Sequence, residues 1–233
     1  MPLPRVIVYD LPEPVRDTLL RDHVELVPWS AALQGDATAE GLYMFGHEKI
    51  DGPLMDRLPA LKVISNCGVG VDHIDLAAAH ERGIKVGNTP GVLAETVADI
   101  AFALLLSAAR RLAEGVRYAR SEAFKEVRHN TMLGRDAHHA TLGIVGMGNI
   151  GAQIAKRARG FDMQILYHNR SRRPDAEATY GAQFVTLDEL LEESDYVMLM
   201  VPLTAKTRGL INRDTLSKMK PTATLINMSR GPV

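Results

Sequence analysis

The run Gly146-Met147-Gly148-Asn149-Ile150-Gly151 sets three glycines at the spacing G-x-G-x-x-G. A short apolar, strand-like sequence, Thr141-Leu142-Gly143-Ile144-Val145, leads into it. Ile150, Ile154 and Ala158 follow at four-residue intervals, with Lys156, Arg157 and Arg159 on other faces and Gly160 as a stop. Strand, glycine turn and helix in that order bring a dinucleotide pyrophosphate onto a helix N-terminus, where free N–H groups and the helix dipole favour an anion. In such a turn Gly146 permits the tight bend, Gly148 lets the pyrophosphate reach the backbone and Gly151 lets the helix close on the strand. A βα turn with no ligand would use the same glycines.

The next apolar run, Gln164-Ile165-Leu166-Tyr167, gives way after His168 to Asn169-Arg170-Ser171-Arg172-Arg173. A dinucleotide site for NAD carries an acid here to bond the ribose 2′-hydroxyl, whereas arginine accommodates a 2′-phosphate. No carboxylate lies between Gln164 and Pro174, and guanidinium forks match phosphate oxygens. NADP(H) is therefore the preferred cofactor, with NAD(H) possible; the competing reading is an exposed basic loop.

Two sets of βα units must position these residues. Strands are expected at Val6–Tyr9, Val24–Val27, Leu42–Phe45, Val63–Asn66 and Lys85–Gly87, then at Leu142–Val145, Gln164–Tyr167, Gln183–Val185, Tyr196–Val201 and Thr224–Asn227. Short apolar strands alternating with helical patterns imply parallel sheets covered on both faces. The fold class is α/β, with two doubly wound parallel-sheet domains over residues 1–99 and 100–233. Between the sets, Val97, Ala101, Leu104, Leu105, Ala108 and Leu112 predict one linker helix from Ala94 to Arg120, apolar nearly all round at Leu104-Leu105-Leu106. Thr186-Leu187-Asp188-Glu189 reads as a capping box.

The 233 residues carry 27 basic and 28 acidic side chains, a balance that gives no polyelectrolyte signal for nucleic acid. A lone cysteine, Cys67, excludes an internal disulfide and fits a reducing compartment. Arg5–Tyr9 is too short for the apolar region of a signal peptide. The longest apolar stretch, Ile100 to Ala109, is about half a membrane span. A soluble, cytoplasmic protein is expected, with no membrane or nucleic-acid partner and no metal.

Three further segments can carry chemistry. Asn66-Cys67-Gly68-Val69-Gly70-Val71-Asp72 is a glycine-rich loop after a strand, where open α/β sheets bind ligands. N–H groups at Val69 and Gly70 can receive a carboxylate, although a turn with positive φ explains the glycines equally well. Asn88-Thr89-Pro90-Gly91 leads to the linker helix, whose Thr96 is either a ligand contact or an ordinary helix-start threonine. Thr224-Leu225-Ile226-Asn227-Met228-Ser229-Arg230-Gly231 is a strand that delivers an arginine at its tip, suited to hold a 2-oxoacid and polarise its carbonyl, or else merely exposed.

With Val201-Pro202-Leu203-Thr204 and Thr207, these motifs occur in one order that resembles the D-isomer-specific 2-hydroxyacid dehydrogenase family, in particular its glyoxylate/hydroxypyruvate reductase branch. The resemblance runs from about residue 5 to Val233. It implies a flavodoxin-like substrate domain, a Rossmann cofactor domain and a substrate cleft between them. By that likeness Val69 and Gly70 bind the substrate carboxylate and Arg230 is the catalytic arginine. Thr96 faces the nicotinamide with Met228 near it, and Met147, Gly148, Asn149 and Ile150 meet the pyrophosphate, with Gly146 and Gly151 in the same cofactor-binding turn. Asn169, Arg170, Ser171, Arg172 and Arg173 surround the 2′-phosphate, while Pro202 and Thr207 line the adenosine side. The implied partners are a small 2-oxoacid or 2-hydroxyacid and a second copy of the chain.

The chain departs from the family pattern in one respect. The family's glutamate and proton-donating histidine lie beyond the arginine, and none of the eight histidines stands there. The expectation is a Rossmann domain truncated at its C-terminus, in an incomplete sequence or a short isoform, with the strand at Thr224–Asn227 left as an apolar edge. Such a chain alone should be nearly inactive. The alternative is a nucleotide-binding co-repressor-like protein or a non-catalytic dimerising isoform, with dimer contacts along the linker helix and Ser121–Ala137.

Overall fold

The computed structural model describes residues 2–21, 23–124, 130 and 132–233. They form two compact units, Met1–Val92 and Leu93–Val233. Residues 125–129 and 131 of the segment assigned to dimer contacts lie outside the described residues.

The first unit runs β1 (Arg5–Tyr9), α1 (Glu13–Arg21), β2 (Glu25–Pro28), α2 (Ser30–Gln34), β3 (Ala39–Met44), α3 (Gly52–Asp56), β4 (Val63–Asn66), α4 (Leu76–Glu81) and β5 (Lys85–Gly87). Its five strands are parallel in the order β2-β1-β3-β4-β5, the flavodoxin-like arrangement. Ile7, Leu42, Met44 and Ile64 are buried with Leu54, Met55 and Leu58, because strands covered on both faces must be apolar throughout. β3 starts earlier than its apolar residues suggest. Ala39-Glu40-Gly41 joins the sheet through a register shift at Arg5/Val6, and a side chain on Gly41 would press on Val6. Neither feature belongs to strand propensity.

The second unit runs α5 (Ala94–Ala109), α6 (Leu112–Ala119), β6 (Thr141–Val145), α7 (Asn149–Arg159), β7 (Gln164–His168), α8 (Pro174–Tyr180), β8 (Gln183–Phe184), α9 (Leu187–Glu193), β9 (Tyr196–Leu199), α10 (Arg213–Ser217) and β10 (Thr224–Asn227). Its parallel sheet has the order β10-β9-β6-β7-β8, so β10 is an edge strand among the described residues, as expected. After it, Pro232 and Val233 accept backbone hydrogen bonds from Gly209 and Ile211, and Val233 is buried. The capping box at Thr186 and Glu189 is formed. No helix among the described residues is long and apolar enough to cross a membrane.

The single helix expected from Ala94 to Arg120 is instead two helices, broken where Arg111 takes a left-handed conformation at φ 52°. The cause is remote in sequence. The Arg135 N–H donates to the Ala109 carbonyl at 2.8 Å, and Gly134 passes so close to Ala109 and Arg110 that a side chain there would collide with their backbone. That crossing competes with continuation of α5. Nor is α5 buried all round: Ala98, Ala101, Phe102, Leu105 and Ala109 face the core, while Ile100 and Leu104 are exposed.

Gly143, in the middle of β6, is required by α9. A Cβ there would overlap the Ser194 hydroxyl and the Leu190 side chain. Overpacking of a dense core costs about 1–3 kcal/mol, so Gly143→Ala is expected to lower the urea midpoint accordingly. An unchanged midpoint would show that α9 yields freely.

Candidate functional site

The turn between β6 and α7 uses each of its three glycines for a different reason. Gly146 has φ 108°, and a Cβ on it would lie 2.7 Å from the Met200 carbonyl oxygen. Gly151 lies against the Gly146 carbonyl and the Ile144 side chain, with no room for a methyl group. Gly148 has nothing within 4 Å of a built Cβ and an ordinary extended backbone at φ −91°. The protein itself therefore does not explain glycine at 148, whereas a group seated on the turn would.

Gly148 caps α7 without a side-chain hydrogen bond, and the N–H groups of Asn149 and Ile150 have no partner among the described residues. Unpaired donors at a helix start, with the helix dipole behind them, make an anion seat. These features fit a dinucleotide pyrophosphate. Met147 is fully buried with its side chain in the core, so only its backbone can meet a ligand; Asn149 is exposed and Ile150 half-buried.

The basic segment lies beside this turn. Gly146 N–H donates to the His168 carbonyl at the end of β7, and the Arg173 guanidinium donates to the Met147 carbonyl at 3.0 Å. Asn169 stands directly after β7, in the place of the NAD-type acid, and donates its side-chain amide to Ser171 O. Arg170 is exposed, with no side-chain hydrogen bond or ion pair among the described residues. The other two arginines are occupied, which the sequence reading did not foresee. Arg172 forks onto Glu177 at 3.1 and 2.6 Å, and Arg173 forks onto Asp175 at 3.1 and 2.8 Å. These arginines hold both carboxyls below the usual carboxylate range. Tyr167, fully buried, donates its hydroxyl to Glu177 and accepts from Arg173 N–H; burial first, and then Glu177, pushes its ionisation up.

At the tips of the neighbouring strands, Pro202 is exposed beyond β9 and Thr207 closes the loop back on it. The Thr207 hydroxyl donates to the Pro202 carbonyl at 2.6 Å and accepts from Thr204 N–H, so it braces the loop. Met228 N–H donates to Leu199 O, and its side chain packs on the core. Arg230, half-buried, follows in a turn built by Asn227, whose amide oxygen accepts from Ser229 N–H and whose amide nitrogen donates to Arg230 O. Thr96 lies exposed in the first turn of α5. Arg157 on α7 clamps that turn by donating to Asp99 at 2.7 Å and to the Glu95 carbonyl at 3.2 Å. Asn227 and Arg157 escaped the sequence reading because an Asx turn and an interhelical clamp leave no local pattern.

In the first unit the loop after β4 is set by two asparagines. Buried Asn66 donates to the carbonyls of Gly68 and Gly70, each at 2.9 Å, and Asn88 donates to the carbonyl of Val69 at 2.9 Å. Thr89 N–H also donates to Gly68 O. The N–H groups of Val69 and Gly70 have no partner among the described residues. Gly68 does not adopt positive φ, so the strained-turn explanation does not account for it. Asn66 carried a signal, an amide closing an apolar strand before a glycine loop, that the sequence reading left unused.

A family model described as D-isomer specific 2-hydroxyacid dehydrogenase, NAD binding domain, matches residues 102–233. The glyoxylate reductase of Thermococcus onnurineus (strain NA1) is 44% identical over 92% of this chain and 68% of its own length. That of Korarchaeum cryptofilum (strain OPF8) is 51% identical over 80% of this chain, which spans only 56% of that relative. Among solved structures, the TT0316 protein of Thermus thermophilus matches with TM-score 0.89 and 44% identity, over 98% of this chain and 74% of that one. The D-lactate dehydrogenase of Aquifex aeolicus, solved with NAD and lactic acid, matches with TM-score 0.87 and 32% identity, over 97% and 69% respectively. The chain belongs to the D-isomer specific 2-hydroxyacid dehydrogenase family.

Proposed function

We propose that this chain carries the cofactor site and the substrate-holding residues of a nicotinamide-dependent reductase, converting a small 2-oxoacid of the glyoxylate or hydroxypyruvate kind to the D-2-hydroxyacid. The observation that carries the reading is the β6–α7 turn, where Gly148 alone is glycine without internal need. When bound, the reduced nicotinamide supplies hydride to the oxoacid carbonyl carbon.

Each residue then has a role in its own chemistry. Val69 and Gly70 offer unpaired N–H groups to the oxoacid carboxylate. Arg230 holds the carboxylate and stabilises the negative charge that develops on the carbonyl oxygen. Thr96 and Met228 border the nicotinamide, and Gly146–Gly151 receive the pyrophosphate. Pro202 and Thr207 border the adenosine. Asn169, Arg170 and Ser171 favour a 2′-phosphate, so NADP(H) is the preferred cofactor over NAD(H); Arg172 and Arg173 stand behind them, already paired. No histidine is assigned to proton donation in residues 1–233, and loss of a general acid removes about 10²–10⁴-fold in rate. The 1–233 chain by itself is expected to show that deficit against a chain that also carries the acid–base pair. Oxidation of NADPH by glyoxylate or hydroxypyruvate in the longer chain is the decisive assay; its absence with every small 2-oxoacid would overturn the reading.

A second reading, a non-catalytic dimerising chain, draws on one observation. Ile100 and Leu104 on α5, with Leu112 and Val116 on α6, are each at least 42% exposed. Within each helix the two stand four residues apart and so share a face, and exposed apolar faces mark association surfaces. A homodimer is expected by sedimentation at micromolar concentration for either reading, and a monomer would remove the self-association argument. Turnover separates the two.

The glycine turn gives a sharper test. Gly148→Ala is expected to leave the melting temperature within about 2 °C, since a methyl group there meets nothing, while weakening dinucleotide binding at least about tenfold. Calorimetric titration with NADPH checks it. Undiminished affinity would mean that no ligand approaches the backbone at 148.

A further inference from the structure

We propose that Glu177 on α8 is a positioning residue that tunes cofactor preference by withholding Arg172 from the 2′ end of the bound ribose. The proposal rests on the 2′-phosphate reading above and goes beyond it. A run with three arginines looks strongly cationic in sequence, yet two carboxylates at the start of α8 cancel most of that charge. Glu177 takes Arg172 through both of its oxygens and is itself fixed by the buried Tyr167 hydroxyl at 2.7 Å. The same hydroxyl accepts from Arg173 N–H, so the loop's path and the carboxylate's place are set by one anchor. Asp175 takes Arg173 in parallel, and Arg173 also reaches the Met147 carbonyl. Among the described residues, Arg170 is left as the uncommitted cation of the loop.

Two effects follow for a phosphate arriving at Asn169–Ser171. Arg172 must leave a forked carboxylate to reach it, exchanging one charge-assisted pair for another. The Glu177 charge also repels the incoming dianion, at a strength that salt diminishes. A nucleotide lacking the 2′-phosphate feels neither effect. Glu177 therefore acts on the ratio of the two affinities and not on dinucleotide binding as such.

The test measures dissociation constants of the 1–233 chain for NADPH, NADH and adenosine 2′,5′-bisphosphate by calorimetry, at low and at physiological ionic strength. Glu177→Gln keeps an acceptor for Tyr167 and removes the charge. It is expected to tighten NADPH and the bisphosphate about three- to thirtyfold, with NADH changed less than about twofold and the gain shrinking as salt rises. Glu193→Gln, an equal charge change on the exposed end of α9, controls for net charge and is expected to leave the ratio unchanged. If Glu177→Gln unfolds the loop, Asp175→Asn tests the same cancellation through Arg173, with the same direction expected. An NADPH-to-NADH ratio that neither variant moves, or that Glu193→Gln moves equally, overturns the proposal. The underlying reading fails separately: wild-type protein would then bind NADH as tightly as NADPH, and Arg170→Ala would leave NADPH affinity intact.

Discussion

The second unit depends on how closely α7 approaches β6. Contact between Gly151 and the Gly146 carbonyl lets the helix start immediately at the carboxyl edge of the sheet. The free N–H groups of its first turn are thereby presented at that edge, with the sheet's apolar residues packed behind them. A side chain at either position would lever the helix outward and withdraw those donors. Other connections serve the same placement. Gly146 is tied to the end of β7, Arg173 bonds the Met147 carbonyl, and Arg157 ties α7 to the first turn of α5. Strands β7, β9 and β10 then bring their tips to the edge that α7 defines.

What could be read from the chain was whatever is local. The βα alternation, the strand that feeds the glycine turn and the capping box at Thr186 are each written in consecutive residues, and each is present. The family likeness was legible for the same reason, because its motifs are short and ordered. The break at Arg111 was not legible, since its cause sits at Gly134 and Arg135 and no periodicity in α5 announces it. β3 was read short because a strand that begins Ala-Glu-Gly is held by register and by close packing, not by propensity.

The site shows the same division. Glycine spacing separated the three positions of the turn, and the geometry keeps that separation: Gly146 and Gly151 are required by the fold itself, while Gly148 is open on its side. Counting charges between Gln164 and Pro174 missed Asp175 and Glu177 by a few residues, because a helix start returns carboxylates to the loop it follows. A sequence window stops where its text stops, but an electrostatic field does not. Asn227 and Asn66 were visible as residues and silent as functions, since an amide that orients a neighbouring backbone has no signature beyond its own letter.

The loop after β4 has a consequence of its own. Asn66, Asn88 and Thr89 draw its carbonyls aside, so the attraction it offers comes from backbone dipoles and not from an ionised side chain. Dipoles of this kind do not titrate. The N–H dipoles at Val69 and Gly70 are therefore the same in acid as in alkali, unlike a lysine or histidine in their place. The donors themselves do not change with pH, so any sensitivity to the medium in this loop comes from the side chains around them, Asp72 and His73 among them.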